Sequence, residues 1–400
     1  MKLESVCTLI VDSEHKTAPR ATQGYPSIRT PNIGKGRLKL EGVYRVSKET
    51  YTKWPRRAIP QADDLILARE APVGNVAIIP DKLNPCLGQR TVLIRPDTKK
   101  IHPHFLCYYL LSNEIQNKMT GLSSGATVAH LNMKDIRELE LTFIPKRKTQ
   151  EQIASILSNY DSLIENNQRR INLLEQAAQN IYKEWFVNMS FPGCKEYNLR
   201  TNTQLPNNWK RILVKDYVEI ISKGPSLNYK VEEGIPVLNQ SCIRNGEISL
   251  DKIRIAAKLK DNKKHCYLRI NDILINSMGQ GTLGRVSKNN SIQEDYIIHN
   301  CIIFLRSKTI YSQTYLYQFI SSKQSYFISV AQGSTGQTTL KKSLIENLEI
   351  LVPEPQLLQK YDELVLPMWN EIGILKNQNS QLQKAQNILL PRLMNQTIRV

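Results

Sequence analysis

The sequence repeats itself once, and this internal duplication limits the possible folds more than any other feature does. Self-similarity at a fixed spacing indicates that one structural unit recurs along the chain. Five blocks recur at offsets of 207 to 210 residues, and the paired blocks begin at Tyr25 and Ile235, Asp64 and Asp272, Gly74 and Gly284, Leu131 and Leu340, and Gln179 and Gln386. Chance similarity would not keep this spacing, so the 400-residue chain is predicted to contain the same unit two times.

Each repeat has the same order of parts. It begins with short apolar runs separated by Gly, Pro and Asn, which are typical of strands and turns. A helical patch, a glycine-bearing polar loop and a long helical segment follow. The predicted fold class is therefore α+β, with an internal pseudo-two-fold duplication. The predicted boundaries are a first β-rich domain at 1–148, a first long helix at 149–190, a second β-rich domain at 191–355 and a second long helix at 356–400.

The two long helical segments carry matching apolar seams. Apolar residues step by fours and threes from Ile153 to Trp185, and the same steps run from Tyr361 to Leu393. A mean spacing of about 3.5 residues over several heptads is the pattern of a coiled coil. Asn167 interrupts the first seam, and Asn379 and Gln386 interrupt the second. An asparagine opposite an aliphatic residue leaves amide hydrogen bonds unmade, so we predict an antiparallel coiled coil in which Asn167 faces Asn379.

The chain is strongly basic, with 54 Lys and Arg against 36 Asp and Glu and a net charge of +18. The basic residues are spread over the whole length, which favours a folded surface that binds polyanions, nucleic acid above all. A basic surface that serves only solubility is the alternative. No apolar run reaches the roughly 20 residues of a membrane span, and seven scattered cysteines without a C-x-x-C pair favour thiols in a reducing compartment. We therefore expect a cytoplasmic protein without a membrane anchor, a disulfide framework or a metal site.

Several short motifs occur in an order that is typical of one protein family. The first repeat contains Pro26-Ser27-Ile28-Arg29, Asp64-Leu65-Ile66-Leu67-Ala68-Arg69 and Gln150-Glu151-Gln152-Ile153-Ala154, and the second opens with Leu205-Pro206-x-x-Trp209-Lys210 and ends with Leu389-Leu390-Pro391-Arg392-Leu393-Met394. With these motifs the chain resembles, over essentially its whole length, the specificity (S) subunits of type I restriction–modification enzymes. One departure is that Asn276-Ser277 stands in the second repeat where the first has Ala68-Arg69.

The resemblance implies both a function and a set of partners. The β-rich domains would be target recognition domains that read the two halves of a bipartite site in double-stranded DNA. The helices would be a spacer that binds two methyltransferase (M) subunits, which restriction and translocation (R) subunits join. The implied cofactors, S-adenosylmethionine, ATP and Mg²⁺, belong to those partner subunits and not to this chain.

No motif in the sequence predicts a catalytic centre. Gly279–Gly284 fits the G-x-G-x-x-G pattern of dinucleotide sites, but that pattern should open an apolar helix. The residues that follow, Arg285-Val286-Ser287-Lys288, are typical of a strand, so we predict a hairpin. The Asn- or Asp-Pro-Pro-aromatic motif of amine methylation is missing. A non-catalytic DNA-binding subunit is therefore predicted, and the alternatives are a stand-alone DNA methyltransferase or nuclease and a coiled-coil scaffold that does not read DNA.

Polar residues in the loops of both β-rich domains are the candidate DNA contacts. Arginine suits guanine edges, asparagine and glutamine suit adenine, and lysine or arginine binds phosphates. The candidates are Arg29, Lys35, Arg37 and Arg69 in the first domain and Lys223, Asn239, Arg244, Asn276, Gln280 and Arg285 in the second. No residue is predicted to be catalytic or to bind a metal.

Overall fold

The computed structural model describes residues 1–400 except 15, 55–56, 124–128, 195–205, 207, 230–232, 245, 260, 280, 293–294, 310 and 332–338. The chain divides into two compact units. The first unit consists of Met1–Asn166 and Asn379–Val400, and the second is the continuous segment Asn167–Gln378. Each unit therefore holds one β-rich domain and a part of each long helix.

The first unit contains two sheets and a set of short helices. Its elements are β1 (Cys7–Asp12), β2 (Tyr25–Ile28), β3 (Tyr44–Val46), α1 (Lys48–Lys53), β4 (Leu65–Ala68), β5 (Val76–Ile78), β6 (Cys86–Leu87), β7 (Thr91–Pro96), α2 (Pro103–Leu110), α3 (Asn113–Leu122), α4 (Met133–Arg137) and the beginning of α5 (Arg147–Tyr182). An antiparallel sheet has the order β1-β7-β4-β5. A smaller sheet has the order β3-β2-β6, in which β2 is antiparallel to β3 and parallel to β6.

The second unit repeats this topology. Its elements are β8 (Lys210–Leu213), α6 (Val214–Tyr217), β9 (Val218–Lys223), β10 (Ile235–Leu238), β11 (Ile243–Arg244), β12 (Glu247–Ile248), β13 (Arg254–Ala256), β14 (Ile273–Asn276), β15 (Val286–Lys288), β16 (Ile297–Ile298), β17 (Ile302–Ser307), α7 (Gln313–Ser322), α8 (Gln324–Ala331), α9 (Lys342–Glu346), β18 (Glu349–Val352) and most of α10 (Pro355–Met394). The sheet orders β15-β14-β17-β9 and β13-β10-β16 match those of the first unit strand for strand. The predicted duplication is therefore confirmed in three dimensions.

The central strand β4 is buried on both of its faces. Leu65 and Leu67 pack in one apolar cluster with α2, whereas Ile66 and Ala68 pack in another with Ile28 of β2. Side chains alternate between the two faces of a strand, so a strand that is covered on both sides must be apolar throughout. This geometry explains the uninterrupted apolar run in the block that begins at Asp64, and β14 repeats it.

A buried ion pair explains why each of these blocks begins with aspartate. The Arg95 guanidinium donates to Asp64 with Nε–Oδ1 and Nη2–Oδ2 distances of 2.8 Å each. In the second unit Arg306 donates to Asp272 over 2.6 and 2.7 Å. Each carboxylate also accepts a main-chain N–H three residues earlier in the sequence, at 2.8 Å. The two pairs fix the start of the central strand to its neighbour, β7 or β17.

The long helices run antiparallel within each unit, as predicted. In the first unit Gln386 donates to Asp161 over 2.7 Å, and Asn379 donates to the carbonyl of Ile164 over 3.4 Å. In the second unit Asn167 donates to Gln378 over 3.4 Å, and Arg170 to Glu371 over 2.6 Å. Asn167 therefore lies opposite Gln378, which directly precedes the predicted partner Asn379. The mutual pairing of the Asn167 and Asn379 amides stays a prediction.

Replacing Gln386 with leucine is expected to destabilise the helix pair. The Gln386 side chain is only 9% exposed and Asp161 is 8% exposed, so the leucine would leave a buried carboxylate short of one donor. Tyr108, whose hydroxyl donates to Asp161 over 2.6 Å, would remain. We expect a loss of about 1–3 kcal/mol, measured by urea unfolding. Gln381→Leu, the same change at an exposed position of α10, is the matched control, and equal losses for the two variants would contradict this role of Gln386.

Candidate nucleic-acid interface

Positive charge is concentrated around the small sheet of the first unit. Residues 16–57, which include β2, β3 and α1, contain eleven Lys or Arg and two Glu, so they carry nine of the chain's eighteen net positive charges. The matching segment 226–267 contains eight Lys or Arg and five Asp or Glu. We call β3-β2-β6 the first basic sheet and β13-β10-β16 the second basic sheet. A concentrated basic surface attracts the phosphate backbone of nucleic acid.

A tyrosine between two arginines marks the first basic sheet. The Cζ atom of Arg20 lies 3.5 Å from the centroid of the Tyr44 ring, and the Cζ atom of Arg29 lies 4.2 Å from it. Tyr44 is on β3 and Arg29 directly follows β2, and these strands are antiparallel neighbours. Tyr44 is 36% exposed, and Arg20 is exposed as well. The Nε atom of Arg29 is buried without a hydrogen-bond partner among the described residues.

The second basic sheet also has a contact between an arginine and a tyrosine. The Cζ atom of Arg254 lies 5.8 Å from the centroid of the Tyr229 ring. Arg254 is on β13 at the position that Tyr44 has on β3, and Tyr229 directly precedes Lys230, which matches Arg20 in sequence at the same offset of 210. Asn239 stands in the position of Arg29. The sequence analysis missed Arg20, Tyr44, Tyr229 and Arg254.

Among the candidates of the first unit, Arg29 and Lys35 form no ion pair with the residues that the structure describes. Lys35 is exposed, and Arg29 packs on Tyr44. Arg37 instead contacts α5, where it pairs with Glu165 and lies 3.7 Å from Asp161. Arg69 is held by the carbonyl of Leu131 at 2.8 Å and by Asp12 at 3.8 Å.

Two candidates of the second unit are buried in its loops. The side chain of Asn239 accepts from the N–H of Ser241 and donates to the carbonyl of Lys252, both over 2.8 Å, so it caps the 3₁₀ turn Gln240–Cys242. The side chain of Asn276 donates to the carbonyls of Gln240 and Thr282 over 3.0 and 3.1 Å. Base contacts by these asparagines stay predictions, and the burial of both side chains argues against them.

The other candidates of the second unit are nearer the surface. Arg244 is exposed, and Lys223 is half-buried at the end of β9. Arg285 donates to the carbonyl of Gly281 over 2.7 Å. Gln280 lies outside the described residues. DNA contacts by these four residues stay predictions.

The glycine-rich stretch at Gly279–Gly284 forms the turn of a hairpin, as predicted. It connects β14 and β15, which pair antiparallel. All three glycines have positive φ, at 111°, 70° and 79°, which side chains rarely tolerate. Their spacing therefore serves a turn between strands, and no apolar helix follows as a dinucleotide site would require.

All seven cysteines are free. Cys107 is fully buried, and burial raises the pKa of its thiol above the ordinary value. Over the residues that the structure describes, no helix is long and apolar enough to cross a membrane. The same part of the chain contains no cluster of three or more His, Cys, Asp or Glu side chains that could hold a metal ion.

The chain contains two copies of one β-rich domain, and each copy has a basic sheet and is followed by a long helix. This arrangement defines a DNA-reading protein with a helical spacer. The family model for the type I restriction modification DNA specificity domain matches residues 1–176 and 206–383, and the chain belongs to this family. It is therefore a specificity protein, the DNA-recognising and non-catalytic component of a type I restriction–modification system, as predicted.

Named relatives agree with this assignment. The chain is 27% identical over 369 residues to the type I restriction enzyme MjaIX specificity subunit of Methanocaldococcus jannaschii, which covers 90% of this chain and 83% of the relative. It is 23% identical to the HindI specificity subunit of Haemophilus influenzae, over 85% of this chain and 87% of the relative. The crystal structure of a type I restriction–modification S subunit from M. genitalium has the same fold, with a TM-score of 0.61 at 16% identity over 98% of this chain and 95% of that one.

Proposed function

We propose that each β-rich domain reads one half of a bipartite site in double-stranded DNA. The observation that supports this most strongly is one topology with two different surfaces. The sheet orders of the two units are the same, yet residues 16–57 contain eleven Lys or Arg and two Glu, whereas the matching residues 226–267 contain eight Lys or Arg and five Asp or Glu. Two similar frames with different polar groups suit two half-sites of different sequence.

The helix pair is proposed to bind two methyltransferase subunits, which restriction and translocation subunits join. Both long helices expose large apolar side chains, and burial of such groups against a partner protein is favourable. These side chains, between 48% and 59% exposed, are Leu163, Leu173, Leu364, Ile374 and Ile388. A helix pair that only supported the β-rich domains would not need apolar residues on its outer side.

We further propose that the cofactors of the reactions belong to the partners. S-adenosylmethionine would be bound by the methyltransferase subunits, and ATP and Mg²⁺ by the restriction and translocation subunits. This chain would contribute the choice of site and the position of its partners on the DNA. The proposal places the assembly in the cytoplasm, where these partners and their DNA meet.

Exchanging the first β-rich domain for that of another family member should change one half of the recognised site only. The junction belongs at residue 146, because α5 begins at Arg147 and must stay intact. The chimaera, expressed with its partner subunits, is tested by sequencing the methylated positions of the host genome. The reciprocal exchange of residues 210–352 should change the other half. An altered sequence in both halves would contradict the assignment of one domain to one half-site, and an unchanged pattern would favour a scaffold.

A further inference from the structure

We propose that Arg20, Tyr44 and Arg29 form a clamp for a DNA phosphate in the first unit, and that Tyr229 and Arg254 form its counterpart in the second. This inference rests on the proposed DNA-reading function and names the groups that hold the backbone. It concerns residues other than those that contact base edges. A clamp of this kind would contribute affinity and orientation without sequence preference.

The first argument is that these arginines have no acidic partner. Six other arginines in the described part of the first unit form ion pairs with carboxylates, and these are Arg37, Arg57, Arg69, Arg90, Arg95 and Arg147. In the described part of the unit, Arg20 and Arg29 have no carboxylate within 4 Å, although both lie in the most basic segment of the chain. Their positive charges are therefore not neutralised within the fold, which leaves them available to an external anion.

The second argument is the arrangement of the two guanidinium groups around one ring. Two cations within 4.2 Å of the same ring would repel each other. The negative face of the tyrosine ring offsets this repulsion and holds each planar group in a fixed orientation. A guanidinium whose plane is fixed loses less freedom when it donates two parallel hydrogen bonds to a phosphate.

The third argument is that the second unit also has a contact between an arginine and a tyrosine at its basic sheet. Arg254 occupies the position of Tyr44, and its Cζ atom lies 5.8 Å from the centroid of the Tyr229 ring. A surface contact between an arginine and an aromatic ring stabilises a fold only weakly. Its presence at the corresponding edge strand of both basic sheets therefore favours a role in binding over a role in folding.

The position of the contact favours phosphate over base edges. Tyr44 and Arg254 lie on β3 and β13, which are edge strands of their three-stranded sheets. Side chains that read bases must enter a groove, and helices or two-stranded ribbons serve this purpose in the major groove. Tyr44 and Arg254 are on neither kind of element, which favours contact with the outer surface of the duplex, where the phosphates are.

The test uses the full chain in complex with its methyltransferase subunits. Affinity is measured for a duplex with the recognised site and for an unrelated duplex, between about 50 and 200 mM salt. Arg20→Gln should weaken binding to both duplexes by the same factor, roughly 3- to 10-fold, and lower the slope of log K against log salt by about 1. Arg254→Gln should do the same, and the two changes should add because the residues lie in different units.

Matched variants separate the clamp from a general effect of charge. Arg90→Gln removes the same charge from an arginine that is already paired with Glu70, and it should change the salt slope less. Arg20→Lys keeps the charge but not the planar donors, so it should keep most of the slope and lose part of the affinity. The melting temperature should be the same for all variants. An unchanged slope in Arg20→Gln, or an altered recognition sequence, would overturn the clamp. Failure of the unmodified complex to distinguish the two duplexes would instead overturn the proposed function.

Discussion

Replacing Arg306 with methionine is expected to cost the second unit about 3–5 kcal/mol, because it removes one partner of a buried ion pair. The Asp272 side chain is 1% exposed, and Arg306 supplies two of its three hydrogen bonds. Arg306 also donates to the carbonyls of His265 and Tyr267, over 2.9 and 2.8 Å. Methionine fills part of the volume but leaves the carboxyl group and both carbonyls without these donors.

The first unit provides the comparison for this prediction. Arg95→Met breaks the corresponding pair with Asp64, but the Arg95 side chain is 27% exposed against 10% for Arg306. Water can replace part of the lost interaction there, so we expect a smaller cost of about 1–3 kcal/mol. Both variants are measured by chemical unfolding of the full chain. The double variant Asp272→Asn/Arg306→Met should be more stable than Arg306→Met alone, since it leaves no buried charge. The opposite order would contradict this explanation.

Replacing Lys288 with methionine is expected to stabilise the protein. Lys288 ends β15 and is 3% exposed, and its Nζ atom has no hydrogen-bond partner among the described residues. Its Nζ atom lies 5.0 Å from the centroid of the Trp369 ring, and the charge of Asp362 acts on it. Burial lowers the pKa of Lys288 to about 7, and Asp362 opposes this shift only in part.

The pH dependence of the free energy of unfolding shows why Lys288→Met should stabilise the protein. Below about pH 7 the lysine is protonated in both the folded and the unfolded chain, so the folded protein bears the full cost of a buried charge. Between about pH 7 and the ordinary lysine pKa near 10.5, the unfolded chain holds more protons than the folded one, and stability therefore rises with pH. Lys288→Met should remove this rise. The variant should be more stable by several kcal/mol at pH 7 and below, since each pKa unit corresponds to about 1.4 kcal/mol.

Melting temperatures between pH 6 and pH 10 test this expectation. The difference between Lys288→Met and the unmodified chain should be largest at the acidic end and shrink towards pH 10. Ile78 holds the corresponding position of β5, so Ile78→Lys is the reciprocal control and should destabilise the first unit most at low pH. A lower melting temperature for Lys288→Met throughout the range would contradict the unfavourable burial of this lysine.

The sequence predicted the parts of the fold that depend on periodicity. The offset between repeats predicted two similar units, the apolar runs predicted β4 and β14, and the seams predicted the antiparallel direction of the helices. These predictions succeeded because apolar spacing reports directly which face of a strand or helix is covered.

The candidate site could be predicted only in outline. A polar residue at the end of a strand can cap a turn or contact a ligand, and the sequence does not distinguish these roles, as Asn239 and Asn276 show. The contact between Arg20 and Tyr44 depends on the antiparallel bridge between Ala21 and Arg45, and that pairing is not apparent from the 23 residues that separate Arg20 from Tyr44. Net charge predicted the class of ligand, whereas pairing within the fold decides which charges remain available.

The division of the chain between the two units also bears on the order in which they form during synthesis. The second unit is the continuous segment Asn167–Gln378, whereas the first also requires Asn379–Val400, and Leu393 and Met394 are buried in its core beside Leu3. A ribosome therefore completes every residue of the second unit before it adds the last core residues of the first. Most of the first unit is therefore translated before the second unit, but the first unit reaches its final packing later.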